Sequence, residues 1–183
     1  MPGIQTSMRM ILLISLLIFS VDAAALTEAE AEDIRLSEEM RALYRRNIWV
    51  GVDRMYRTLL ERGTVLTSPQ HLQGAHAAQA LGDIQGCYER LRAAARLDPS
   101  KEVIDWLWAL DSNFGEVEIN AAPGLELSVA LMPLDLVHRT AIERAATLLA
   151  EEGRFVGRLP VGTYVVASEP LVVTSGKRTA LTL

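Results

Sequence analysis

The chain of 183 residues is half apolar, enough for one ordinary domain or two small ones whose core needs no disulfide. Eighteen basic residues against 23 acidic ones leave a formal charge of −5, which argues against a nucleic-acid partner, because phosphate-backbone binders need a clustered positive footprint. Cys87 is the only cysteine, so no intramolecular disulfide can form.

Residues 1–25 read as an export signal, with Arg9 as the positive head and an apolar run of 12 residues from Met10 to Val21. As a helix that run would span roughly 18 Å, short of a hydrocarbon core of about 30 Å. Ala23, Ala24 and Ala25 offer an A-x-A cleavage site before Leu26, and no cysteine stands there to take a lipid. An uncleaved N-terminal anchor is the alternative. The expected location is the periplasm or the medium.

Helical periodicity begins at Thr27, which with Glu30 has the form of a capping box. Ile34, Leu36, Met40, Leu43 and Tyr44 keep that spacing up to Asn47, a residue that tolerates a left-handed helix stop. A second helix, about 48–62, is expected to bury Val52, Met55, Tyr56, Leu59 and Leu60 and to end at Gly63. Helices over about 69–81 and 83–97 meet at Gly82-Asp83, and Asp98-Pro99 closes the pair because proline cannot continue a helix.

Gly82, Asp83, Cys87, Leu91, Ala94, Leu97, Asp98 and Pro99 match the second half of a tetratricopeptide repeat, and this part of the chain resembles that family. The first half departs, with His71, Gly74 and Ala78 where the family has a large aromatic, a leucine and a tyrosine. A shift of 35 residues pairs Val52, Tyr56 and Leu59 with Cys87, Leu91 and Ala94, and Asn47 with Gly82, so the first hairpin reads as a degenerate copy. A fifth helix, 101–110 after Ser100, carries Val103, Ile104, Trp106, Leu107 and Trp108 and would cover the open end of the stack. An unrelated five-helix bundle is the alternative to such a stack.

After Asp111 the pattern alternates with period two: Val117 and Ile119, then Leu125, Leu127 and Val129 beyond the Pro123-Gly124 turn. A helix over 136–152, capped by Asp135 and stopped by Gly153, interrupts the strands with a stripe of Ile142, Ala145, Ala146, Leu148 and Leu149. Strands resume at 154–159, 163–168, 171–174 and 177–183, with turns expected at Pro160-Val161-Gly162, Glu169-Pro170 and Ser175-Gly176. The run from Gly157 to Val166, with Val172 to Gly176, resembles PEGA-like and carboxypeptidase-regulatory-like β-domains, which implies an accessory module of an exported bacterial protein. A tight turn before a core strand would leave the same residues.

The expected fold class is α+β: antiparallel helical hairpins of about five helices over 26–112, then a small β-sandwich-like domain over 113–183 with its helical insertion. His71 and His76 stand five apart, off the i, i+4 geometry of a metal pair, and His138 is the only other histidine. The sequence carries no G-x-S-x-G, no P-loop and no dinucleotide glycine fingerprint, so a non-catalytic chain without metal or cofactor is expected. Glu116 and Glu118 share a strand face, which reads as a solvated one.

If the hairpins stack as repeats do, the first helix of each lines a concave surface holding Arg41, Tyr44, Arg45, Leu72, His76 and Gln79. That surface would take a protein or peptide. Arg41 and Arg45 would favour an acidic segment or a free carboxylate, unless Glu38 and Glu39 merely balance them on a solvated face. The resulting expectation is a protein-binding scaffold or adaptor; the alternative is a cell-envelope structural protein whose β-domain makes the contact.

Overall fold

A computed structural model describes residues 27–183; the export signal expected over residues 1–25 lies outside them. The fold is α+β, with five consecutive helices followed by six strands and one further helix. No helix among the described residues is long and apolar enough to cross a membrane.

Helix α1 (Glu28–Arg45) begins in a reciprocal cap, Glu30 N–H donating to Thr27 Oγ1 at 3.2 Å and Thr27 N–H to Glu30 Oε2 at 2.9 Å. Asn47 then takes a φ of 55°, and α2 (Trp49–Glu61) runs back along α1 to Gly63. Helix α3 (Ser68–Ala80) opens with a second capping box, Thr67 N–H donating to the Gln70 side chain at 2.8 Å. Helix α4 (Ile84–Leu97) starts from Asp83, whose carboxylate accepts from Gly86 N–H at 3.0 Å. Helix α5 (Lys101–Asn113) runs one turn beyond its expected end and passes directly into β1 (Phe114–Asn120).

Positions paired by the 35-residue shift are physically alike. Val52, Tyr56 and Leu59 are buried, as are Cys87, Leu91 and Ala94, and Asn47 and Gly82 both have positive φ. Helix α3 presents Gly74, Ala75, Ala77 and Ala78 to its neighbours, and these small residues let α2 and α4 approach closely. A Cβ added at Gly74 would lie 2.5 Å from the Tyr56 ring, so the space that a leucine fills in the resembled family is taken by that ring.

Strand β1 is the middle of a three-stranded sheet, antiparallel to β3 (Arg154–Pro160) and parallel to β6 (Arg178–Thr182). The second sheet is antiparallel, with β4 (Gly162–Val166) between β2 (Leu127–Val129) and β5 (Glu169–Val173). Helix α6 (Leu136–Glu152) packs Ile142, Ala145 and Leu149 into the core between these sheets. Tyr164 is buried there, its hydroxyl donating to Pro160 O at 2.7 Å.

Four details differ from the sequence reading. The turn expected at Glu169-Pro170 falls at Ala167-Ser168, because both its central residues take positive φ, a conformation the proline ring forbids. Leu60 and Ile34 keep helical spacing yet are exposed. Trp108 is likewise exposed, so α5 covers the stack through Val103, Leu107 and Leu110. Glu116 and Glu118 are not simply solvated: each holds an arginine, Arg158 at 3.1 Å and Arg178 respectively.

The helical and β parts share side chains. Phe114 and Ala141 join the cluster of Ile84, Cys87, Leu91 and Val103. The buried Arg158 of β3 donates to Asp111 Oδ1 at 2.9 Å and Gln85 Oε1 at 3.2 Å, with its guanidinium 3.8 Å from the centre of the Tyr88 ring. That arrangement ties α4, α5, β1 and β3 together.

Candidate functional site

Three alternate helices, α1, α3 and α5, each place one ring on a common surface. His76 of α3 lies between Tyr44 of α1, at a centroid distance of 5.7 Å, and Trp106 of α5, at 4.5 Å; Trp49 at the start of α2 meets Tyr44 edge-on at 5.8 Å. The Tyr44–Trp49 pair contributes about 0.5–1.5 kcal/mol beyond the area it buries. All four rings remain half-buried, so the row is open on one side.

Beside this row, His76, Gln79 and Trp49 face Leu136, Val137 and Thr140 of α6 across a cavity of about 400 Å³. Its wall is mostly apolar, with the imidazole and the Gln79 amide as polar groups, and its volume lies in the range of small-ligand and side-chain pockets. The site is therefore composite: the helical half supplies the aromatic wall and the helix inserted among the strands supplies the other.

Of the six residues expected on this surface, Tyr44, His76 and Gln79 are brought together. Leu72 packs against the cluster of Ala75, Leu91 and Leu110 beneath it. Arg41 and Arg45 are exposed on α1, and neither makes an ion pair with the described residues; Glu39, one of the acids expected to balance them, pairs with Arg35 at 3.1 Å instead. Trp49, Trp106 and the first turn of α6 belong to the site although their sequence pattern did not mark them. Trp106 reads as a capping residue because one-dimensional spacing places it on a helix without saying which neighbour it meets.

Burial holds the imidazoles of His71 and His76 below their ordinary pKa, and both are neutral at pH 7. His71 has Tyr56 Oη at 2.9 Å from its Nδ1. Because the folded values are depressed, the associated stability is complete above about pH 6.5 and is lost as pH falls below it. The urea midpoint is accordingly expected to fall between pH 7 and pH 5, with a shallower fall in His76→Phe; an unchanged slope in that variant would exclude His76 as a source.

A second cleft, of about 260 Å³, lies between α4 and the first sheet and is lined by Gln85, Glu89, Glu116 and Arg178. Its arginine and Glu116 are already paired, which leaves it little capacity for a ligand. Burial pushes the Cys87 thiol up to about 12, so it packs as a small inert residue. Among the described residues no group of three or more His, Cys, Asp or Glu is placed to hold a metal ion.

No family model, no curated protein and no solved structure matches the chain.

Proposed function

We propose that the chain is an exported, non-catalytic scaffold or adaptor that binds a protein or peptide along the helical groove, and that the groove is of tetratricopeptide-repeat type. The observation that carries this reading is the open row of rings from α1, α3 and α5 beside an apolar cavity. Aromatic side chains in such a setting supply most of an interface's energy, and the cavity fits one apolar side chain of an extended guest. The guanidiniums of Arg41 and Arg45 on α1, which form no ion pair with the described residues, would meet an acidic residue or a terminal carboxylate of that guest.

The second reading is a cell-envelope structural protein with a PEGA-like β-domain as its contact. It is favoured by Val165 and Val172, which point outward from the second sheet as neighbouring exposed apolar residues.

A photo-crosslinker placed at Gln79, and separately at Val172, in the intact chain distinguishes the two when cells are irradiated and the envelope is probed. Crosslinks to a polypeptide from Gln79 alone are expected, reduced at least tenfold by Tyr44→Ala/His76→Ala. Crosslinks from Val172 alone would replace the groove reading by the β-domain one. Capture that survives Arg41→Ala/Arg45→Ala would remove the acidic-guest component.

A further inference from the structure

Two segments far apart in the chain meet at the composite cavity and leave an apolar rim in solvent. Trp49 brings the α1–α2 connection to it, and Leu136 and Val137 bring the strap over residues 130–136. On the first segment Ile48 and Val50 flank Trp49, with Val50 70% exposed; on the second Leu131 is 84% and Leu134 98% exposed. Leu134 is almost wholly in solvent, and fully burying one leucine is worth about 1.5–3 kcal/mol. Exposed apolar side chains on two segments that share one cavity mark a docking surface.

The charges around this rim are mostly positive. Arg45 and Arg46 precede Ile48, and Arg54 lies one helical turn beyond Val50; none of the three makes an ion pair with the described residues. Of the nearby carboxylates, Asp53 of α2 is held by Arg57 at 3.0 Å and Arg90 at 2.6 Å, while Asp135 of the strap caps α6, accepting from His138 N–H at 2.9 Å, and stands as one carboxylate against the three guanidiniums. A local positive rim on a chain of formal charge −5 sets this face apart from the molecule as a whole.

We infer that this face, the α1–α2 connection together with the 130–136 strap, docks the protein on an anionic lipid surface. Leu131 and Leu134 enter the boundary between headgroups and acyl chains, Trp49 lies at headgroup depth, and Arg45, Arg46 and Arg54 meet the phosphates. A lipid surface fits better than a protein because these leucines project from a strap, whereas a protein hot spot sits in a desolvated pocket ringed by near-neutral contacts. Leucine tips, an interfacial tryptophan and arginines able to extend their heads toward phosphate form the combination that an interface between water and hydrocarbon selects. The inference shares Trp49 and Arg45 with the groove reading, but it rests on the exposed leucines of the strap and on Arg46 and Arg54, which the groove does not use.

The test places an environment-sensitive fluorophore on Leu134→Cys in the full chain. Cys87, the one native cysteine, is buried with its thiol pushed up to about 12, so the label goes to position 134. On vesicles of phosphatidylglycerol and phosphatidylcholine the emission is expected to move to shorter wavelength, with no such move on pure phosphatidylcholine. The same label on Val172→Cys should stay aqueous. This reads local immersion whatever else tethers the chain to the vesicle. Arg46→Gln/Arg54→Gln should weaken the response about 25-fold, at roughly fivefold per basic residue near the surface, and 0.5 M salt should weaken it further. His76→Ala, which leaves Trp49 and its contact with Tyr44 in place, should leave it unchanged, so failure here and failure of the groove are read separately. No shift at position 134, an equal shift at position 172, or a shift elicited by a polyglutamate peptide and not by vesicles would each overturn the proposal, the last by making the face a protein contact.

Discussion

Replacing Asp53 by alanine is expected to destabilise the protein by about 3–5 kcal/mol, the usual result of removing one member of a buried ion pair. The partner left behind is Arg90, whose Nη2 lies 2.6 Å from Asp53 Oδ1, with both side chains almost out of solvent. That contact is an ion pair by distance but lacks hydrogen-bond alignment, because Oδ1 has no hydrogen-bond donor. The arginine is spent elsewhere as well: Nη1 donates to Gly74 O at 2.7 Å, and its guanidinium lies 4.2 Å from the centre of the Tyr56 ring. It therefore cannot swing out to water without releasing α2 from α3. Urea denaturation measures the loss directly, and the corresponding fall in Tm is roughly 10 °C for a chain of this size. Asp53→Leu/Arg90→Met removes both charges and should recover most of it, since a buried pair gains little over an apolar one of similar volume. A loss below about 1 kcal/mol in the single variant would show that Arg90 is solvated in a way the packing does not allow.

Gly82→Ala should cost about 2–5 kcal/mol, from two sources that a control separates. Gly82 has a φ of 73°, where an L-residue is strained by roughly 1–2 kcal/mol. Its added Cβ would also stand 2.5 Å from the Thr140 carbonyl oxygen of α6, a backbone atom that cannot rotate away. Overpacking of that kind adds about 1–3 kcal/mol. Gly63 has a φ of 76° and open space around it, so Gly63→Ala carries the strain alone. The difference between the two, read from the same urea curves, reports how firmly α6 seats against the α3–α4 turn. Equal effects would mean that α6 is not held there, and the composite cavity beside Thr140 would lose its second wall.

Local chemistry made much of the architecture legible. The cap at Thr27 and Glu30, the stop at Asn47, and the helix over 136–152 between Asp135 and Gly153 all depend on residues within one turn of each other. Such signals survive without knowledge of the rest of the chain. The proline in Glu169-Pro170 misled because a proline marks both turns and edge positions, and the choice depends on which residue next to it can take positive φ.

The site was half legible for a related reason. Tyr44, His76 and Gln79 follow from helical phase once the hairpins stack, so periodicity alone identifies them as sharing a face. Trp49, Trp106 and the first turn of α6 come to that face from other elements, over separations of tens of residues, and no periodicity connects them. Leu72 shows the reverse: helical phase directs it toward the groove, and the width of the α3–α4 contact draws it into the core.

By itself the sequence determined most helix starts and stops, because caps and φ restrictions act over a few residues, while the end of α5 and the turn before β5 escaped it. Only the tertiary structure decided which apolar residues stay wet, which arginines are held and which are left free, and that one wall of the groove comes from a helix inserted among strands. Those outcomes depend on how many neighbours surround a side chain, and that number is set by elements arriving from elsewhere in the chain.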